Sequence, residues 1–119
     1  MKSSSAFSVL RLIKATGYSF AGLAAAWRGE ASFRLEVMGA AFFVPLGLWL
    51  GASGVERALL AGSVLLVPVV ELINSSLEAV VDCASPGQHP LAKRAKDLGS
   101  AAVMASLVAA GVIWLAVLA

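Results

Sequence analysis

The chain has 119 residues, 60% of them hydrophobic and only 13% charged. A soluble domain carries about 25% charged residues, so this composition excludes an ordinary water-soluble globule. A net charge of +2 without a basic–aromatic stripe gives nucleic acid no footing, and a single cysteine, Cys83, rules out an intrachain disulfide.

Residues 1–30 mix Phe7, Leu10, Leu12, Ile13, Phe20, Leu23 and Trp27 with Arg11, Lys14, Tyr18 and Arg28. The uncharged runs here are too short to cross a bilayer, and basic residues suit headgroups, so an amphipathic surface helix is predicted over about 6–28. Gly17 and Gly22 are the places where it could divide in two. Basic residues at Lys2, Arg11, Lys14 and Arg28 leave no compact apolar stretch of the kind a cleavable signal has.

The first span is expected over about 32–52, in the 19 uncharged residues between Glu36 and Glu56, with Pro45 inside it. "GASG" (Gly51 to Gly54) reads as a short outer turn. Only 13 uncharged residues separate Arg57 from Glu71. That is roughly 20 Å of helix, short of a core about 30 Å thick. The second span therefore has to run on through "ELINSSLEAVVD" (Glu71 to Asp82), over about 56–83. "SPGQHP" (Ser85 to Pro90) breaks the chain. A third span is expected over about 92–118, where 22 uncharged residues follow Asp97. The whole chain, 1–119, reads as a single domain.

Five of the nine Lys and Arg lie before or at the entry of the first span and three lie at Lys93, Arg94 and Lys96, so both regions are expected on the cytoplasmic side. The acidic end of the second span then reaches the same face. At 100° per residue, with Glu71 at 0°, Asn74 falls at about −60°, Glu78 at about −20° and Asp82 at about +20°. All four share one helical face, bordered by Ser75. A carboxylate below the headgroups is costly and marks a functional site by default. Three acids on one face also need positive charge nearby.

The topology supplies it: Glu30, Arg34 and Glu36 open the first span, and Lys93, Arg94, Lys96 and Asp97 open the third, at the same level. Carboxylates with an Asn suit Mg²⁺, and Lys and Arg suit phosphate oxygens. Together they fit phosphoryl transfer without a Walker A loop. Small residues spaced by four along the third span, such as Ala101, Ala105 and Ala109, favour close helix approach. Three helices shield this much charge poorly, which favours a homo-oligomer.

"ELINSSLEAVVD" followed by "KRAKDLGSAAV" strongly resembles the prokaryotic integral-membrane diacylglycerol kinases, and "RLIKATGYSFAGLAAAWRGEASFRLE" is similar to that family's surface helix and first-span entry. The resemblance implies an all-α membrane protein: an amphipathic surface helix plus three transmembrane helices per protomer, in a homotrimeric bundle with active sites shared between protomers. It implies an enzyme of the bacterial inner membrane, N-terminus cytoplasmic and C-terminus outside, transferring the γ-phosphoryl of MgATP to diacylglycerol. By the same resemblance Glu71 is the catalytic base, and Glu30 and Glu78 hold the Mg²⁺. ATP also contacts Arg11, Tyr18, Gly87, Gln88, His89, Lys96 and Asp97. Arg34, Leu35, Glu36 and Ser100 join Glu71 near the lipid, and Asn74 and Asp82 are supporting polar groups.

Physical reading favours that division. Glu71 is the deepest acid and fits a hydroxyl tethered in the membrane, whereas Glu78 lies outward, nearer a soluble nucleotide. The nearest rival acceptor is undecaprenol, used by a related Gram-positive branch, although "EASFRLE" and "KDLGSAAV" look more like the diacylglycerol branch. An ion-conducting bundle would also use intramembrane acids but leaves the basic residues at the same level unexplained. A purely structural subunit would bear their cost for nothing.

Overall fold

The computed structural model describes residues 5–119. Lys2 lies outside the described residues, as does the side chain of Phe7. The protein is all-helical: α1 (Ser5–Gly29), α2 (Ala31–Leu50), α3 (Gly54–Ala84) and α4 (Pro90–Leu118). The chain divides into two compact units, Met1–Ala31 and Ser32–Ala119.

In the first unit α1 is continuous through Gly17 and Gly22, so neither glycine divides it. Thr16 and Ser19 turn their hydroxyls back onto the carbonyls of Leu12 and Ala15, both at 2.9 Å, which satisfies them without interrupting the helix. α1 ends at Gly29, and the Glu30 N–H still donates to Ala26 O at 2.9 Å.

In the second unit three helices are long and apolar enough to cross a membrane. α3 and α4 pack along each other; α2 meets α3 through Glu36 at the acidic stripe and joins both helices at the opposite end. There Leu60 is fully buried, and the Trp114 indole N–H donates to Leu60 O at 3.0 Å. The Trp114 ring meets Phe43 edge to face, centroids 5.6 Å apart. Gly47 completes the contact: a Cβ there would lie 2.9 Å from Leu60 Cβ and 3.2 Å from the Trp114 ring. Only a glycine lets α2 come this close.

The turn between α2 and α3 is more than a break. Ser53 Oγ accepts from the Glu56 N–H at 3.2 Å, and Glu56 Oε1 accepts from the Ala52 N–H at 2.9 Å. The pair is a variant of a capping box, with the Glu56 carboxylate reaching the N–H one residue before the N-cap, and it starts α3 at a defined residue. α4 starts as sharply, with His89 as N-cap and Pro90 in the first turn, where proline's missing N–H costs nothing.

Leucines, valines and aromatics on α2–α4, among them Phe42, Trp49, Leu66, Ile73, Val108 and Leu115, stay exposed, and α4 buries no residue. In water such a surface would drive association or aggregation; lipid or other chains can cover it.

Candidate active site

α3 has 31 residues, roughly 46 Å at 1.5 Å per residue, so it exceeds a hydrocarbon core of about 30 Å. The polar stripe occupies the surplus. Burial along it is graded: Glu71 is 6% exposed and Asn74 7%, Glu78 is half-buried, and Asp82 is exposed. One helical face thus leads from a dry interior to solvent in three turns.

At the dry end α2 contributes Glu36, whose carboxyl lies against that of Glu71. The other Glu36 oxygen is buried and has no hydrogen-bond partner among the described residues, and Ser75 Oγ is in the same condition. Two carboxyls in contact need positive charge between them, a proton or a cation. An acid pair of a buried Glu71 and a half-buried Glu36, with a spare buried acceptor, is suited to taking a proton from a hydroxyl brought to it.

One turn outward, Asn74 Nδ2 donates to Glu78 Oε2 at 3.4 Å. The bond holds the Glu78 carboxylate and leaves it half open. At the wet end Lys96 Nζ of α4 pairs with Asp82 Oδ1 at 2.5 Å, and Lys93 Nζ pairs with Asp97 Oδ2 at 2.7 Å. An open cleft of about 860 Å³ lies here, lined by Asp82, Ser85, Gly87, Gln88, His89, Lys93 and Lys96 among others. Two ammonium groups, loop backbone and a helix start suit an anionic, phosphate-bearing ligand.

The structure therefore brings together Glu36 with Glu71, Asn74 with Glu78, and Asp82 and Lys96 with the 87–89 loop. His89 also caps α4: its Nδ1 accepts from the Leu91 N–H at 3.0 Å, which leaves Nε2 for a ligand. Asp97 is engaged by Lys93 and is not part of the cleft lining. Leu35 and Ser100 are exposed, and Arg34 is half-buried. Arg11, Tyr18 and Glu30 belong to the first unit. There Arg11 and Tyr18, seven residues apart, share a face of α1 and are exposed, and Glu30 is half-buried at its end.

Lys93, which the sequence puts in the basic cluster opening the third span, is a lining cation of the cleft. Gly99, over which Asn74 is seated, takes a place that the sequence alone does not assign it, and no local signal marks it.

Among the described residues no three His, Cys, Asp or Glu side chains converge as a protein-only metal cage requires. Mg²⁺ does not require one: it is usually held by one or two carboxylates together with substrate phosphates and water. Glu78, anchored through one oxygen and half open, fits that donor set.

A polar stripe descending a long apolar helix toward a basic cleft defines a membrane-type helical protein built for charged chemistry at one end. The comparisons with known proteins make the class specific. The family model for prokaryotic diacylglycerol kinase matches residues 17–118. The chain is 47% identical over 104 residues to a diacylglycerol kinase of Escherichia coli (strain K12), covering 87% of this chain and 85% of that one. It is 47% identical over 108 residues to a diacylglycerol kinase of Pseudomonas aeruginosa, covering 91% and 88%. To one of Helicobacter pylori it is 45% identical over 104 residues, covering 87% and 81%. The chain belongs to the prokaryotic diacylglycerol kinase family, and it is a kinase.

Proposed function

We propose that this kinase transfers the γ-phosphoryl group of MgATP to diacylglycerol at the cytoplasmic face of the bacterial inner membrane, giving phosphatidic acid and ADP. The observation that carries the reading is the graded burial from Glu71 to Asp82. A lipid hydroxyl arrives from the apolar side and a nucleotide from water, and the stripe offers each a carboxylate at its own depth.

Glu71 is the general base. The diacylglycerol hydroxyl proton passes to the Glu71 carboxylate as the hydroxyl oxygen bonds to the γ-phosphorus. The bond from that phosphorus to the β,γ-bridging oxygen breaks, and ADP leaves with the electron pair. Glu36, against Glu71, fixes the base and helps hold the proton. Arg34, Leu35 and Ser100 lie with Glu36 and Glu71 on the lipid side.

Glu78 and Glu30 hold the Mg²⁺, which when bound neutralises phosphate charge. Asn74 keeps Glu78 in place. Lys96, with Asp82 as its neighbour, reaches the phosphates from the cleft wall, and Gly87, Gln88 and His89 border the nucleotide. Asp97 orients Lys93 at the same mouth, and Arg11 and Tyr18 add contacts from α1. On α1, Ile13, Phe20, Leu23 and Trp27 fall within about 80° of one another at 100° per residue, with Arg11, Lys14 and Arg28 on another side. That supports a surface helix lying along the headgroups.

The 1–119 chain acts as a single domain in a homotrimer, which covers the exposed apolar faces of α2–α4. The distribution of Lys and Arg supports a cytoplasmic N-terminus and an outside C-terminus.

The test is ATP-dependent phosphorylation in mixed micelles, with diacylglycerol or undecaprenol as acceptor, with and without Mg²⁺. Mg²⁺-dependent turnover of diacylglycerol that is lost in Glu78→Gln supports the reading. Turnover of undecaprenol alone would keep the site and change the acceptor. No turnover of either by an intact oligomer would sink it.

A further inference from the structure

Gly99, half-buried on α4, lies under Asn74 of α3. A Cβ built on Gly99 would collide with Asn74 Oδ1 and lie 3.1 Å from Asn74 Cγ. That Oδ1 is buried and has no hydrogen-bond partner among the described residues. It rests over the glycine Cα, where a weak Cα–H···O contact is what the backbone can offer. The other end of the same carboxamide donates to Glu78 Oε2 at 3.4 Å. The amide is thus fixed from both sides, by a space in α4 and by the carboxylate it holds.

We propose that Gly99 is a positioning residue for the metal carboxylate: its missing side chain is the slot that seats Asn74, and the seated Asn74 aims Glu78 at the Mg²⁺ of MgATP. The inference rests on the reading of Glu78 as a Mg²⁺ ligand. An added methyl at Gly99 strikes the far end of a side chain rather than backbone, so the amide turns away while α3 and α4 keep their packing. Glu78 then loses the amide that holds it and samples orientations that no longer face the nucleotide.

The experiment uses the full-length enzyme in detergent with a non-hydrolysable ATP analogue. Mn²⁺ replaces Mg²⁺, and its binding is followed by the electron paramagnetic resonance of the free ion. Gly99→Ala and Asn74→Ala are each expected to weaken Mn²⁺ binding by about 10-fold, the lower end of what loss of an outer-shell partner costs a metal site. Gly99→Ala added to Asn74→Ala should weaken it no further, because the amide it displaces is already gone. Half-saturation by diacylglycerol should stay unchanged in parallel rate measurements.

Unchanged Mn²⁺ affinity in Gly99→Ala overturns the proposal, as does a double variant that shows the product of the two single effects. Glu78→Gln separates the two levels of failure. If it binds Mn²⁺ like wild type, the metal reading falls and the Gly99 inference with it. If it binds weakly while Gly99→Ala binds normally, only the Gly99 link falls. Should Gly99→Ala fail to fold, recovery of folding in the double variant supports the slot, and failure of both overturns it.

Discussion

In the proposed reaction Glu71 is the base on which the chemistry turns. It is buried at the dry end of the stripe, lies against Glu36, and sits two turns from Glu78. Replacing it by Gln keeps its volume and removes its basicity. Glu71→Gln is expected to lower kcat about 10²- to 10⁴-fold, the usual contribution of a positioned base, with MgATP binding unchanged. Turnover in mixed micelles and nucleotide binding by calorimetry separate the two quantities. A loss of nucleotide affinity equal to the loss of rate would instead place Glu71 among the phosphate contacts. Lys96 makes the opposite case. Its pair with Asp82 is largely exposed, so solvent screening leaves it adding little to stability. Facing a phosphate, the same ammonium would make a charge-assisted hydrogen bond, stronger than a neutral one. Lys96→Met is therefore expected to leave the unfolding midpoint in detergent almost unmoved and to raise the half-saturating MgATP about 10-fold or more, as initial rates would show.

Between elements, stability and function occupy opposite ends of the bundle. Gly47, Leu60, Phe43 and Trp114 fasten α2, α3 and α4 at the end away from the Glu71–Asp82 stripe. Trp114→Phe keeps a ring against Phe43 but loses the bond to Leu60 O. It should cost about 1 kcal/mol, the net worth of one hydrogen bond, seen as a lower denaturation midpoint with the substrate dependence of turnover preserved. The division also explains what the sequence makes legible. The α3 stripe follows from a contiguous dodecapeptide and the helical period, so Glu71, Asn74, Glu78 and Asp82 are recognisable as one face. The three apolar helices follow from the spacing of charges. The approach of Glu36 to Glu71 and of Asn74 to Gly99 depends on how far one helix is slid along another, and no local period records that. Two cap signals are local and still pass as plain breaks: Ser53 with Glu56, and His89 with Pro90. Each sets where a helix begins, and so which residues reach the cleft.

For the whole molecule the question is how many chains build one catalytic centre. Glu71 and Glu78 lie on one helix, seven residues or about 10.5 Å apart along its axis. A base in hydrogen-bond reach of the hydroxyl, the phosphoryl group in transfer, and the phosphate-bound cation that Glu78 would hold need a similar length. On the proposed roles, one copy of α3 would therefore span from base to metal without help from a neighbouring chain. Co-assembling Glu71→Gln chains with Glu78→Gln chains should restore no activity, because no α3 in the mixture carries both acids. Diluting wild type with Glu71→Gln should lower the activity in proportion to the wild-type fraction. Differently tagged chains that co-purify would show that mixing has occurred. Recovery of turnover in the first mixture would mean that the base and the metal carboxylate come from different protomers, and the single-helix centre would have to be given up.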